Sequence, residues 1–329
     1  MERFVFVAAV TFAIIFGIGA MFGGGHFNFE FDGDEGGFTM APVVATAPGR
    51  METQVFQGDE LRVKHTAARI VITPEDRQDF LIEIDNPGRT PMPTITTDDG
   101  HVVIDGQLRG RIDNCLSEGG VDLKGYGDIA GTDLPRISIR APRALVMSLG
   151  EGSTTEIGPS QALDFDFSGC GSATLADVAG VLDLDVAGSG QIRAGAAQSL
   201  NADVAGSGDV VIASVTDGAD IDIAGSGTVT ITSLNGPLTA DGAGSGNVSI
   251  QGGAVTMAKI DLAGSGQVDI AASVQRLEVS IVGSGGVDIA GEVGDIEAEI
   301  AGSGSVNARA VTGNIRKEVL GSGDVRVGG

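Results

Sequence analysis

The chain is poor in the side chains on which most catalytic and sugar-binding sites depend. Its 329 residues include no Trp, one Tyr, three His and two Cys. The histidines, His26, His65 and His101, all precede residue 150, so the C-terminal part has no imidazole for general acid–base chemistry. No aromatic side chain follows Phe167, which removes the platforms on which sugars usually stack. We therefore assign no catalytic residue.

Positive charge is also scarce. Against 44 Asp and Glu stand 20 Lys and Arg, and the net charge is −24. A surface this acidic repels phosphate backbones, so we expect no nucleic-acid partner. Apolar residues nevertheless make up 42% of the chain, enough to form a sizeable core.

Glycine, by contrast, is abundant and regularly placed. From residue 150 onward a Gly-x-Gly tripeptide returns every 18 to 20 residues, mostly as Gly-Ser-Gly. Apolar and polar residues alternate on both sides of each turn, as around Val210 and Ile212, which is the period of strands with one buried face. Such a unit is too short for a helical crossover, so its strands pair in parallel with those of the next unit. The sequence predicts an all-β fold, a parallel β-solenoid of about ten coils.

The tripeptide is interpreted as the corner of each coil. Stacked corners require backbone conformations that glycine adopts easily, and the Ser between the glycines is expected to bond its hydroxyl to the neighbouring coil. A phosphate-binding loop is excluded because a strand, rather than a helix, follows each turn. The predicted corner glycines are Gly188, Gly190, Gly206, Gly208, Gly225, Gly227, Gly244, Gly246, Gly264, Gly266, Gly283, Gly285, Gly302, Gly304, Gly321 and Gly323.

The chain divides into four predicted segments. Residues 1–23 contain an apolar run long enough to cross a membrane and are predicted to be a signal-anchor or a cleaved signal peptide, so the rest is exported. Residues 24–53 are predicted to form a flexible acidic linker. Residues 54–149 are expected to be a strand-rich lead-in that caps the solenoid, and residues 150–329 are expected to be the solenoid itself.

Units like "VAGSGDV", preceded by a lead-in that contains "VFQGDELRVKH" and "PRISIRAP", carry a family resemblance. Over about residues 54–327 the chain resembles the head-GIN-domain family of bacterial exported proteins, which carries the label "putative autotransporter adhesin". The resemblance implies a right-handed β-helix and a location in the cell envelope. It transfers no catalytic or ligand-binding residue.

Carboxylates recur three residues before the Gly-x-Gly turns, with a partial second column two residues earlier. Alternation places both columns outside, where neighbours ~5 Å apart repel each other by about 1 kcal/mol even in water. One interpretation is a solvated face whose side chains splay apart and keep the solenoid soluble. The other is that a divalent cation, calcium, lies between carboxylates as a bound cofactor. The calcium candidates are Asp185, Asp203, Asp222, Asp241 and Asp261.

The two cysteines and the chain's last coil add two expectations. Cys115 and Cys170, which replaces a turn Ser, are expected to form a disulfide in an exported protein, with two free buried thiols as the alternative. The C-terminal edge of the solenoid has no evident cap, so homo-oligomerisation through it is a further hypothesis.

These observations favour a non-enzymatic cell-envelope protein that presents a rigid acidic β-helix for adhesion or partner binding. We expect it to be exported and membrane-anchored, facing the periplasm or the cell surface. One alternative is a polysaccharide-acting enzyme whose site lies in residues 54–149, where His65 and His101 occur. Another is a periplasmic, membrane-tethered structural or signalling module.

Overall fold

The computed structural model of the protein describes residues 45–328. The predicted signal segment, residues 1–23, lies outside them, as does most of the predicted linker. Strand β1 begins at Gly49, inside the segment predicted as linker. Within the described range no α-helix occurs, and the helical segments are two short 3-10 turns. No helix among these residues is long and apolar enough to cross a membrane.

The described residues form 27 strands and two short 3-10 turns, Ser117–Gly119 and Gly131–Asp133. The strands are β1 Gly49–Gln57, β2 Glu60–Thr66, β3 Arg69–Glu75, β4 Asp79–Asn86, β5 Thr94–Asp98, β6 His101–Asp105, β7 Ile112–Cys115, β8 Val121–Leu123, β9 Gly127–Ile129, β10 Arg136–Pro142, β11 Ala144–Glu151, β12 Thr154–Ile157, β13 Ala162–Gly169, β14 Ser172–Leu175, β15 Val178–Gly188, β16 Gln191–Gly206, β17 Asp209–Val215, β18 Ala219–Gly225, β19 Thr228–Gly244, β20 Asn247–Ile250, β21 Gly253–Gly264, β22 Gln267–Ile270, β23 Ser273–Gly283, β24 Gly286–Gly302, β25 Ser305–Val311, β26 Ile315–Gly321 and β27 Asp324–Val327.

Parallel pairing between successive coils builds two long walls. One wall runs in the order β6, β2, β11, β13, β15, β16, β18, β19, β21, β23, β24, β26. The other runs β10, β3, β12, β14, β16, β17, β19, β20, β22, β24, β25, β27. Strands β16, β19 and β24 bend and belong to both walls. The predicted all-β parallel solenoid of about ten coils is confirmed.

The core is a set of apolar columns that run along the solenoid axis. One column includes Leu184, Ala202, Ile221, Ala240 and Ile260, which occupy matching register positions in successive coils and are at most 1% exposed. The period of two along each strand sends the intervening residues outward. The interior is therefore dry, and the outer surfaces carry the polar chemistry.

The predicted lead-in is more deeply built into the solenoid than a separate cap would be. Strands β2, β3, β6 and β10 pair in parallel and form the first coils, and β11 crosses the predicted boundary at residue 150. Strands β1, β4 and β5 instead pair antiparallel, β4 with β10 and β5 with β6, and they end the stack at its N-terminal side. The coil repeat is not visible in the sequence of the lead-in because residues 107–134 are inserted between its strands.

Residues 107–134, which we call the flap, form a small unit of their own. Strands β7, β8 and β9 make a separate antiparallel sheet. A second hydrophobic cluster beneath it joins Leu108, Val121, Leu123 and Ile129 of the flap to Ala67 of the solenoid. The flap is thereby packed against the first coils.

The last described coil carries a charge in the apolar column. Lys317 pairs in register with Ala298, a residue of the inward column that is 1% exposed. Its Nζ lies 3.7 Å from Oδ1 of Asp324, whose Oδ2 lies 3.1 Å from Nε of Arg326. An inward-pointing lysine on an edge strand hinders pairing with another chain. Homo-oligomerisation through this edge stays a prediction.

Candidate functional site

The corner line is the row of residues at which successive coils turn. The first glycine of each predicted pair has φ between +111° and +134°, a region that side chains with a Cβ rarely adopt. A Cβ at Gly206 would also lie 2.5 Å from the carbonyl oxygen of Gly188. The third residue of the turn is constrained differently, because a Cβ at Gly208 would meet the Val186 side chain at 3.0 Å.

The serines of the corner line bond through their backbone. The N–H of Ser207 donates to the carbonyl oxygen of Gly188 at 2.8 Å, and the other turn serines repeat this bond one coil further along. In the part of the chain that the structure describes, their hydroxyls make no hydrogen bond and lie exposed. The expected hydroxyl contact between coils is therefore wrong, and the backbone N–H of each serine makes the bond to the neighbouring coil instead.

The first corner departs from the glycine rule. The register pairs Glu151, rather than Gly150, with Gly169, so the first turn is displaced by one residue from the Gly-x-Gly pattern. Glu151 has φ of +80°, and His65 and Gln107 of the preceding coils have φ of +50° and +62°. Residues other than glycine cost of order 1–3 kcal/mol in this region and tend to occur at functional sites.

Ionisable side chains gather at this irregular end of the corner line. Nδ1 of His65 lies 3.4 Å from Oδ2 of Asp105, whose Oδ1 accepts the backbone N–H of Gln107 at 2.7 Å. Burial, reinforced by the charge of Asp105 and opposed by Arg109, raises the pKa of Glu151 to about 7. Among residues 45–328, the buried Oε2 of Glu151 has no hydrogen-bond partner. Sequence reasoning missed this cluster, although a Glu in the place of the usual Ser was a visible signal.

The second histidine of the predicted enzyme region lies elsewhere. Nδ1 of His101 lies 2.9 Å from Oε2 of Glu60. The structure thus brings His65 to Asp105 and leaves His101 with a different carboxylate.

A cleft of about 610 Å³ lies between the flap and the corner line. The flap contributes Gly110, Ile112 and Asp113, and the corner line contributes residues from Glu151 to Ser207. A disulfide joins the flap to the corner line beside the cleft: Cys115 of the flap is bonded to Cys170 at the second corner, with the Cα atoms 5.7 Å apart. This is the pair that the sequence led us to expect.

A column of aspartates occupies the outer surface of the first wall. The register stacks these residues one per coil, and we call them the acidic column: Asp166, Asp185, Asp203, Asp222, Asp241 and Asp261. Ser280, Glu299 and Glu318 continue it. The second column is interrupted, because Asn201, Thr239 and Lys259 take its places in three coils.

The carboxyls of the acidic column lie half-buried beside one another instead of splaying into solvent. Asp185 shares a hydrogen bond with Asp166, and Asp222 shares one with Asp203. Their partial burial, followed by the charges of their neighbours, raises the pKa of Asp185 to about 8 and that of Asp222 to about 7. The repulsion expected from the sequence is therefore relieved by protons that the column retains near neutral pH.

The five calcium candidates all belong to the acidic column, in consecutive coils. Among residues 45–328, no group of three or more His, Cys, Asp or Glu side chains has an arrangement that could hold a metal ion. A column supplies carboxylates from one direction only, whereas calcium takes six to eight oxygen ligands. Calcium binding stays a prediction that would require ligands from a partner or from water.

The repeat, the register and the corner line together define a parallel β-solenoid. The chain belongs to the family described as "Putative auto-transporter adhesin, head GIN domain", which matches residues 98–215 and 253–328. This confirms the resemblance read from the sequence, and the family points to an exported or surface protein. A comparison with curated proteins gave no match.

Several solved structures are similar to the chain. A "putative adhesin" from Parabacteroides distasonis ATCC 8503 is 14% identical, with a TM-score of 0.44, covering 86% of this chain and 96% of that one. A "Putative lipid binding protein" from the same organism is 18% identical, with a TM-score of 0.40, covering 85% and 96%. A "putative adhesin" from Parabacteroides merdae ATCC 43184 is 13% identical, with a TM-score of 0.40, covering 86% and 96%. We base no argument on likenesses this distant.

Proposed function

We propose that this chain is a non-enzymatic protein of the cell envelope that presents its solenoid as a rigid surface for adhesion or partner binding. Residues 1–23 would hold it at the membrane. The observation that carries the proposal is the acidic column, which repeats one chemical group at a spacing of ~4.8 Å along the solenoid.

Two physical properties suit such a column to binding. Its residues are fixed by backbone pairing on both sides, so little conformational entropy is lost when a partner docks. Since part of the column stays protonated near neutral pH, it offers O–H donors as well as carboxylate acceptors. A partner with a regular row of hydroxyl, amide or basic groups could engage several coils at once.

An attachment assay with face-specific variants tests the proposal. Cells of the native host that lack the chain are complemented with wild type or with a variant in which Asp185, Asp203, Asp222 and Asp241 are all changed to Asn. A matched control replaces four exposed carboxylates off the column by their amides: Asp209, Asp217, Asp269 and Glu292. Attached cells are counted on a surface and in self-aggregates.

We expect wild type and the control variant to restore attachment and the column variant to restore it poorly. Asn keeps the shape and the hydrogen bonds of the column, as Asn201 does in the second column, so a folding defect is not expected. Equal restoration by the two variants, or attachment unaffected by loss of the chain, would contradict the proposal.

A glycan-acting enzyme is the second candidate. Nδ1 of His65 lies 3.4 Å from Oδ2 of Asp105, and the charge of Asp105 in turn acts on the carboxyl of Glu151. Release of reducing ends from candidate polysaccharides by wild type, and its loss in His65→Ala, would establish this activity. If no polysaccharide is turned over, or if turnover is unchanged in His65→Ala, the hypothesis of a glycan-acting enzyme is wrong.

A further inference from the structure

The cleft beneath the flap has features that an adhesive outer face does not require. Glu151 lies at its irregular corner in a left-handed backbone conformation, with one carboxylate oxygen buried and unpartnered. The disulfide through Cys170 holds the flap over the same corner line. A strained corner, an unsatisfied acceptor and a covalently fixed wall together mark a binding site rather than a packing defect.

The lining of the cleft indicates the chemistry of its occupant. The glycine corners, Ile112 and the disulfide form a smooth and largely apolar floor and wall. The polar groups can all accept hydrogen bonds: the carboxylate of Glu151, and the hydroxyls of Ser189 and Ser207, which can also donate and which make no hydrogen bond within the described chain. An occupant should therefore combine an apolar body with strong donors.

The charge around the cleft and the length of the cleft restrict the chemistry of the occupant further. The carboxylates of Asp105 and Asp113 add negative potential, which Arg109 and the Lys124–Asp113 ion pair, at 2.8 Å, offset only in part within a chain of net charge −24. The cleft follows four successive corners, from Glu151 to the corner at Gly206, which span ~14 Å at the spacing of paired strands. An extended, cationic, aliphatic chain fits these dimensions.

We propose that the cleft binds a linear aliphatic polyamine, with one ammonium group on the Glu151 carboxylate and the methylene chain along the glycine corners. A second ammonium group donates to the hydroxyls of Ser189 and Ser207. Neither these residues nor the cleft belongs to the acidic column, so this site is independent of the proposed adhesive function.

The affinity of this site should depend on pH through the protonation of Glu151. An aliphatic ammonium stays charged near neutral pH, whereas Glu151 must lose its proton to pair with it. Because burial raises the pKa of Glu151 to about 7, binding releases a proton and becomes tighter as pH rises from about 6 to 8. The charged groups around this carboxyl are Asp105 with His65, Arg109, and Asp113 with Lys124.

Isothermal titration with spermidine at physiological ionic strength tests the site. Wild type should bind with defined stoichiometry, and Glu151→Gln, which keeps the size of the side chain, should bind about tenfold or more weakly. The matched control is Glu156→Gln, an exposed glutamate on β12 outside the cleft, which should bind like wild type. A neutral diol of similar length should not bind.

A second variant and a competition keep the test decisive. Ser189→Leu retains Glu151 but fills the cleft, and it should also weaken binding about tenfold. The tightening with pH should be present in wild type and absent in Glu151→Gln. Equal affinity of wild type and Glu151→Gln, or displacement of spermidine by Mg²⁺ at matched charge, would show only diffuse attraction to the acidic surface and would overturn the proposal.

Discussion

Replacing Asp185 by Asn should stabilise the solenoid at pH 8 and change its stability much less at pH 5. Asp185 lies in the middle of the acidic column, and burial together with the charges of Asp166 and Asp203 raises its pKa to about 8. This pKa lies above the value of 3.8 that the carboxyl has in the unfolded chain, so the folded state binds the extra proton. The free energy of unfolding therefore falls as pH rises from about 4 to about 8.

The size of the effect follows from the same shift. One pKa unit corresponds to about 1.4 kcal/mol, and the whole shift would correspond to roughly 5–6 kcal/mol. Solvent reaches part of the Asp185 carboxyl, and its proton is shared with its neighbours, so we expect about 1–2 kcal/mol at pH 8. For a chain of this size that is a rise in Tm of ~2–3 °C.

Differential scanning calorimetry measures this change in Tm. The proteins compared at pH 5 and pH 8 are wild type, Asp185→Asn and Asp209→Asn. Asp209 is exposed and lies outside the column, so its variant should follow wild type at both pH values. A wild-type Tm that is higher at pH 8 than at pH 5, or an Asp185→Asn Tm equal to wild type at pH 8, would show that the carboxyls are ionised and solvated.

The remaining predictions concern the corners, the disulfide, the ends and calcium. Gly206→Ala should cost more than 2 kcal/mol in chemical denaturation, because its Cβ would meet the Gly188 carbonyl, whereas Gly252→Ala, with ordinary φ and 3.5 Å of clearance, should cost far less. Cys170→Ser should lower stability by about 2–4 kcal/mol and speed proteolysis of the flap. Lys317→Ile should increase self-association in sedimentation experiments, because it removes the charge from the apolar column. If calcium binds, millimolar calcium should raise Tm above the value in EDTA; a difference within a degree would exclude it.

Regular features of the fold could be predicted because they follow from local rules that repeat. The period of two, the spacing of the turns and the conformational demand for glycine fix the strands, the parallel pairing and corners such as Gly188 and Gly206. The stacking of Asp185 on Asp203 follows from the same register. Because each coil repeats the same alternation and the same turn, the repeat can be recognised in the sequence.

What could not be predicted depends on contacts between distant segments. The first corner at Glu151 is set by pairing of β11 with β2 across the whole flap, which no local pattern encodes. His65 and Asp105 meet because β2 and β6 are neighbours in the first coils, although the residues between them show no repeat. Protonation of the acidic column arises from partial burial, followed by the charges of the aspartates in neighbouring coils, and the degree of burial cannot be read from alternation alone.

Protease shaving of intact cells that carry a C-terminally tagged chain, with lysed cells as control, tests the central claim most directly. Loss of the tag from intact cells is the predicted result, since a solenoid used for adhesion must lie outside the cell. Protection of the tag until lysis would contradict the account and indicate a tethered module of the periplasm.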